Sequence, residues 1–273
     1  MAFFVNALVS GVITRLFPQL YEPVANPGAF IKQGRQAGTR QVVVCAGDSI
    51  THGVASANYV ELLKKQLAAP EYEFVNAGIN GNLAYNVLQR LDVIIACHPD
   101  VVTLLIGTND VNATFSQAWE DNYLKQQKLP EKPTLDWYRQ NVERIVDRLK
   151  TETSARIAIL TLPMLGEKLD SEMNQRVNAY NAVLQTIAAE KQVALLDLHE
   201  QLRMLLPENH TPPPYEGKMM PMLQAGLKQY ILRKSWDTVA TEHGLAVLTD
   251  HIHLNDRAAG VIARLIGDFI KQG

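Results

Sequence analysis

The most constraining feature of the sequence is an alternation of short apolar runs with longer amphipathic stretches. The runs are rich in β-branched residues and apolar on consecutive positions, which is typical of strands covered on both faces. Strands of this kind, separated by helices, indicate an α/β fold with a parallel sheet between helical layers. We predict five strands, at residues 41–46, 72–77, 101–107, 156–162 and 193–198.

Amphipathic helices are predicted between and after the strands, at residues 58–68, 83–96, 134–153, 171–190 and 256–271. Asn82 and Ser171 precede two of these helices. Both are suitable N-caps, because their side chains can accept a backbone N–H from the first helical turn.

The length of 273 residues suits one large domain. Since no internal repeat or clear linker is found, we predict a single domain over residues 41–273, preceded by a separate lead-in at residues 1–40. Two insertions, near 111–133 and 203–236, are longer than the usual connections, and long insertions often carry function. The three methionines between residues 219 and 222 could form an apolar lid or pack in the core.

The N-terminal segment has no charged side chain over residues 1–14, and its large apolar residues recur every four positions. They are Phe4, Leu8, Val12, Leu16 and Leu20. This spacing predicts an amphipathic helix, which we expect to be retained because no Lys or Arg precedes the apolar run and no clean cleavage site follows it. The helix would pack on its own domain or a second subunit, or contact a membrane surface. A cytoplasmic location is favoured, with export or membrane association as the alternatives.

The formal net charge is −2, which gives no broad positive field. Nucleic acid is therefore not expected as a partner, and a small or neutral molecule fits better. Cys45 and Cys97 each lie in an apolar stretch, so we predict two buried free thiols rather than a disulfide.

Polar segments follow the first three predicted strands. They are Gly47-Asp48-Ser49-Ile50-Thr51, the stretch from Asn76 to Asn82, and Gly107-Thr108-Asn109-Asp110. Because ligands of open parallel sheets bind beyond the carboxyl ends of the strands, all three segments should converge on one crevice.

Ser49 lies at a strand-to-helix junction, where its hydroxyl can point into the crevice and its own N–H is an unpaired helix-start donor. It could therefore be both a nucleophile and an oxyanion donor. The alternative is an ordinary N-cap serine. The G-x-S-x-G pattern is not met, because Thr51 stands where the second glycine would be.

A candidate base lies near the C-terminus, in Asp250-His251-Ile252-His253. A serine hydroxyl needs an imidazole to take its proton, and a carboxylate can hold that imidazole in the correct tautomer. Since positions three apart lie on the same side of a turn, we predict that Asp250 pairs with His253 while His251 points elsewhere. The alternatives are a helix cap and a surface histidine, or a metal site built from Asp250 and both histidines, with His52 or His98 added.

Oxyanion donors are predicted after the second and third strands. Gly81 allows the close backbone approach that an N–H donor requires, and Asn109 offers a side-chain amide. Each residue could instead be an ordinary turn or cap residue.

Taken together, these four separated blocks resemble those of the SGNH hydrolases, the GDSL family of lipases and esterases. The block Gly47-Asp48-Ser49-Ile50 is similar to the nucleophile block, with Ile50 in place of the usual leucine. The stretch from Asn76 to Gly81 is similar to the block that supplies the glycine N–H, the Gly107 to Asp110 block to G-x-N-D, and the Asp250 to His253 block to D-x-x-H.

The resemblance implies a flavodoxin-like three-layer α/β/α sandwich with strand order 2-1-3-4-5, and no metal or organic cofactor. It also implies a triad of Ser49, Asp250 and His253, with an oxyanion hole formed by Ser49, Gly81 and Asn109. We therefore expect a serine ester hydrolase that acts on a small-molecule ester through an acyl-serine. A carbohydrate O-deacetylase or O-acyltransferase is the alternative within this chemistry, and a non-catalytic ligand-binding module is the alternative outside it.

Overall fold

The computed structural model describes residues 22–272 of the chain. The predicted helix with the Phe4 to Leu20 stripe lies outside these residues. The centre of the fold is a parallel five-stranded sheet in the order β2-β1-β3-β4-β5, which confirms the predicted topology. The strands are β1 (Gln41–Gly47), β2 (Tyr72–Gly78), β3 (Val101–Leu105), β4 (Arg156–Leu160) and β5 (Ala194–Leu196).

Helices cover both faces of the sheet and complete the three-layer α/β/α sandwich. In chain order they are α1 (Pro27–Gln33), α2 (Ser49–His52), α3 (Tyr59–Gln66), α4 (Ala84–Gln89), α5 (Leu91–Ile95), α6 (Thr108–Ala113), α7 (Gln117–Gln126), α8 (Leu135–Glu152), α9 (Glu172–Lys191), α10 (Leu198–Arg203), α11 (Met220–Tyr230), α12 (Trp236–Glu242) and α13 (Asp256–Lys271). Helices α3, α10, α12 and α13 pack together in one layer, and α4, α5, α8 and α9 pack together in the other.

Burial explains why the strand pattern in the sequence is apolar on consecutive residues. Residues Val42 to Ala46 of the interior strand β1 are at most 1% exposed, because strands flank them on both sides and helices cover both faces. Cys45 and Cys97 are buried free thiols, as predicted. The edge strand β2 receives an added backbone contact, in which Asn76 donates to the carbonyl of Ala25 at 2.8 Å.

The prediction of one continuous helix at 83–96 is wrong, since the structure has two short helices, α4 and α5, that meet at Arg90. The prediction of Ser171 as an N-cap is confirmed, because its hydroxyl accepts the N–H of Asn174. Strand β5 is shorter than predicted because Asp197 leaves the sheet and caps α10.

Both insertions contain helical structure. The first includes α7, and the second includes α11. Met219 and Met220 at the start of α11 are 52% and 58% exposed, so the core-packing alternative is wrong for them. Within residues 22–272, no helix is both long enough and apolar enough to cross a membrane.

Candidate active site

Ser49 is the first residue of α2 and lies two residues beyond the end of β1, an interior strand of the sheet. The Asp48 side chain caps this helix by accepting the N–H of Ile50 at 3.0 Å. A Cβ at Gly78, at the end of the neighbouring strand, would lie 2.2 Å from the backbone nitrogen of His52. Glycine at this position therefore lets α2 pack directly against the end of β2, which leaves Ser49 only 9% exposed.

The imidazole of His253 lies between Ser49 and Asp250. Its Nε2 atom is 2.8 Å from Oγ of Ser49, and its Nδ1 atom is 2.8 Å from Oδ2 of Asp250. The second oxygen of Asp250 accepts the backbone N–H of Ile252 at 3.1 Å and of His253 at 2.8 Å. The three side chains thus form one buried hydrogen-bonded path, although Ser49 and His253 are 204 residues apart in the chain.

Electrostatic attraction outweighs burial in the Asp250 and His253 pair. Burial acts to raise the pKa of Asp250, but the charge of His253 and its hydrogen bonds hold that pKa below the usual range. Burial likewise acts to lower the pKa of His253, but the Asp250 carboxylate holds it above the usual range. An ionised Asp250 favours the tautomer with the proton on Nδ1, so Nε2 can accept the proton of Ser49.

His251 is not part of this path. Its backbone has a φ of 78°, and its ring stacks obliquely on Tyr215 with 5.9 Å between the ring centroids. Burial holds the pKa of His251 below its usual range. Among the described residues, no three His, Cys, Asp or Glu side chains are grouped so that they could hold a metal ion, and the alternative of a metal site at Asp250, His251 and His253 gains no support.

Gly81 lies three residues beyond the end of β2, in a backbone conformation that favours glycine, with a φ of 75°. A Cβ at this position would lie 2.6 Å from Nε2 of Gln127, which follows α7 in the first insertion. The Gln127 amide is the end of a flexible side chain that can move aside, so the backbone conformation is what favours glycine here.

The side-chain amide of Asn109, in the first turn of α6 after β3, is oriented by two hydrogen bonds. Its Nδ2 donates to the carbonyl of Asn82 at 2.9 Å, and its Oδ1 accepts the hydroxyl of Tyr123 at 2.7 Å. Nδ2 keeps a second hydrogen for another acceptor. The prediction of Asn82 as a helix cap is wrong: Leu83 occupies the N-cap position, and the Asn82 side chain accepts from Arg90 at 2.9 Å.

Two further carboxyl groups lie buried beneath the site. Burial raises the pKa of Asp48 to about 6, against the opposing N–H of Ile50 and the charges of His253 and Arg90. Burial also raises the pKa of Asp110 to about 8, although its carboxyl accepts the N–H of Ala84. These groups contrast with Asp250, whose close partner keeps it ionised.

A buried carboxylate holds the segment that leads to Asp250. Glu167 accepts the backbone N–H groups of Ala246, Val247 and Leu248, each at 2.8 Å. The same carboxylate pairs with the imidazole of His210 in the second insertion. The glutamate therefore links the connection between β4 and α9 to both the Asp250 segment and the insertion.

The structure brings Ser49, Asp250 and His253 into direct contact, and it places Gly81 and Asn109 in the segments that follow the adjacent strands. Sequence reasoning missed four residues that support the site, namely Asn112, Tyr123, Glu167 and Tyr215. A glutamate next to the apolar stretch at 162–165 was one available signal. The other three lie in or beside the insertions and had no local signal.

Comparison with known proteins gives one family match. Residues 45–259 match the model of the "GDSL-like Lipase/Acylhydrolase family". None of the curated proteins compared with the chain matches it significantly.

Solved structures share the fold. The acetyl xylan esterase AlAXEase has a TM-score of 0.60 and 19% identity, covering 84% of this chain and 99% of that chain. Axe2, an acetylxylan esterase from Geobacillus stearothermophilus, has a TM-score of 0.59 and 19% identity, covering 85% and 94%. LAE5, an alpha/beta hydrolase enzyme from the metagenome of Lake Arreo, Spain, has a TM-score of 0.57 and 19% identity, covering 84% and 94%.

Proposed function

The chain belongs to the GDSL-like lipase/acylhydrolase family, and we propose that it is a serine hydrolase of carboxylic esters that acts through an acyl-serine intermediate. The hydrogen-bonded path from Asp250 through His253 to Ser49 is the observation that supports this most directly. A serine hydroxyl is a weak nucleophile unless a base within hydrogen-bond distance takes its proton, and this path supplies the base and the group that orients it.

In the proposed cycle, Oγ of Ser49 attacks the carbonyl carbon of the ester while its proton moves to Nε2 of His253. The tetrahedral intermediate collapses as its bond to the alcohol oxygen breaks, and His253 returns the proton to that oxygen. Water then attacks the acyl-serine with its proton passing to His253, and the acid leaves as Ser49 regains its hydrogen. The cycle requires no metal or organic cofactor.

The oxyanion formed in this cycle would be stabilised by the N–H groups of Ser49 and Gly81 and by the Asn109 amide. The Ser49 N–H belongs to a helix start, where the backbone donors of the first turn have no partner within the helix. Gly81 and Asn109 follow the strands on either side of β1. Donors already held in place cost no reorganisation when charge develops on the substrate oxygen.

A carbohydrate ester is the second candidate substrate. The solved structures that share the fold include two acetyl xylan esterases, which gives O-deacetylation of a sugar as the specific alternative to a simple or lipid-like ester. An O-acyltransferase would share the first half of the cycle and would differ only in passing the acyl group to a hydroxyl acceptor.

The test is labelling with a fluorophosphonate probe together with hydrolysis of p-nitrophenyl esters from acetate to palmitate and release of acetate from acetylated xylan. We expect the wild type to label and to hydrolyse a short ester, and Ser49→Ala to do neither. A sharp acetate preference with acetate release from xylan would support the deacetylase. A folded wild type that does not label would contradict the hydrolase and leave the ligand-binding module.

A further inference from the structure

A chain of hydrogen bonds runs from the second insertion to the amide of Asn109. The hydroxyl of Tyr215 donates to Oδ1 of Asn112. Nδ2 of Asn112 donates to the hydroxyl of Tyr123 at 3.3 Å, and that hydroxyl donates to Oδ1 of Asn109 at 2.7 Å. Asn109, Asn112 and Tyr123 are at most 8% exposed, so water does not compete strongly for these bonds.

The direction of every bond in this chain follows from its last member. Nδ2 of Asn109 donates to the carbonyl of Asn82, which can only accept, so Oδ1 must face Tyr123 and Tyr123 must donate to it. All the donors therefore point towards the Asn109 amide. Hydrogen bonds aligned in this way polarise one another, which makes the terminal N–H a stronger donor.

We propose that Tyr123 is a positioning residue that orients and polarises the Asn109 amide for the oxyanion, and that Asn112 and Tyr215 extend this effect into the second insertion. The proposal rests on the proposed function. It assigns a role to the first insertion, because Tyr123 lies in α7 and packs there against Trp119 with 5.9 Å between the ring centroids.

The test is a double-mutant cycle on a short p-nitrophenyl ester. Tyr123→Phe keeps the ring and removes only the donor, so we expect kcat to fall about tenfold with KM nearly unchanged. In an Asn109→Ala background the same substitution should cost nothing further. Tyr215→Phe, two links further out, should cost less than Tyr123→Phe.

Tyr138→Phe is the matched control, because Tyr138 also has a buried hydroxyl, which donates to the carbonyl of Ile106 at 2.9 Å outside this chain. It should lower stability without the same loss of kcat. An unchanged kcat in Tyr123→Phe, or an equal loss in both Asn109 backgrounds, would overturn the proposal. A wild type that neither hydrolyses the ester nor labels with the probe would overturn the proposed function as well.

Discussion

The strand ends and the two insertions both contribute to the site, but by different means. Ser49, Gly81 and Asn109 follow β1, β2 and β3, so the register of the parallel sheet determines where their backbones lie. Tyr123 and His210, from the insertions, instead act through side chains that hold other residues. The strand ends therefore hold the proposed nucleophile and oxyanion donors, while the insertions supply side-chain contacts that orient neighbouring residues. Variants in the two regions should therefore fail in different ways.

The largest expected effect is a loss of activity when Ser49, at the end of β1, or its neighbour His253 is replaced. Ser49→Ala removes the proposed nucleophile and should lower kcat by about four to six orders of magnitude, with little change in stability. His253→Ala should have an effect of similar size, and His251→Ala should be tolerated because that ring lies outside the hydrogen-bonded path. Initial rates of p-nitrophenyl acetate hydrolysis measure the activity of all three variants. An active His253→Ala beside an inactive His251→Ala would contradict the assignment of the base.

A smaller loss is expected at the end of β3. Asn109→Ala removes one oxyanion donor, which typically costs about 2.7 to 4 kcal/mol, or two to three orders of magnitude in kcat. Circular dichroism should show that the fold survives. If kcat were unchanged while KM rose, Asn109 would bind the ground state instead, and the proposed oxyanion role would fail.

The pH profile also separates the two regions, because His253 contacts Ser49 whereas His210 lies in the second insertion. Only neutral His253 can accept the proton of Ser49, so kcat/KM should fall as the pH drops through its pKa. That pKa is raised, so the acid limb should have its midpoint above the usual value of 6.5. Asp250→Asn should move the midpoint to lower pH, since the attraction is lost while burial remains. His210→Ala, in the insertion, should leave the midpoint unchanged.

A stability effect of moderate size is expected where the insertion meets the Asp250 segment. Glu167→Gln leaves a single acceptor oxygen for three backbone N–H groups, and we expect a loss of about 3 kcal/mol in the free energy of unfolding. Denaturant titration measures this. His210→Ala removes only the partner from the insertion and should cost less. Equal losses would mean that Glu167 serves the insertion more than the Asp250 segment.

The last expected effect is a pH dependence of stability that comes from Asp110, beneath the strand ends. The folded state holds the proton of Asp110 up to a pKa of about 8, well above its value of 3.8 in an unfolded chain, so it binds more protons than the unfolded state between these values. Stability should therefore fall as pH rises across this window. Asp110→Asn removes the titrating group. The melting temperature of the variant, relative to that of the wild type, should therefore rise from pH 5 to pH 8. A difference in melting temperature that does not change with pH would show that Asp110 is ionised in the folded protein.

Much of the fold could be predicted because the sheet leaves a direct pattern. Consecutive apolar residues in β1 follow from burial on both faces, and the polar segments after the strands follow from the position of the crevice. The proximity of Asp250 to His253 could also be predicted, since a spacing of three in a turn brings two side chains together. The strand order came from the family resemblance, because periodicity carries no information about which strands are neighbours.

The supporting contacts could not be predicted for a physical reason. Tyr123 is hydrogen-bonded to Asn109, 14 positions away in the sequence, and Tyr215 to Asn112, 103 positions away. No local periodicity encodes such sequence separations. The prediction of Asn82 as a cap was wrong because its side chain accepts from the inward-turned guanidinium of Arg90, which also donates to the carbonyls of Gly47 and Ala77. A partly buried arginine that donates to carbonyls at two strand ends has no signature in a single sequence.

The separation of 204 residues between Ser49 and His253 has a consequence for biosynthesis. During translation Ser49, the proposed nucleophile, emerges from the ribosome long before His253, its proposed base, so the two cannot be in contact while most of the chain is being made. Contacts so distant in sequence also form late in folding, because closing a long loop is entropically costly. Esterase activity in a nascent or refolding chain would therefore report completion of the fold rather than its beginning.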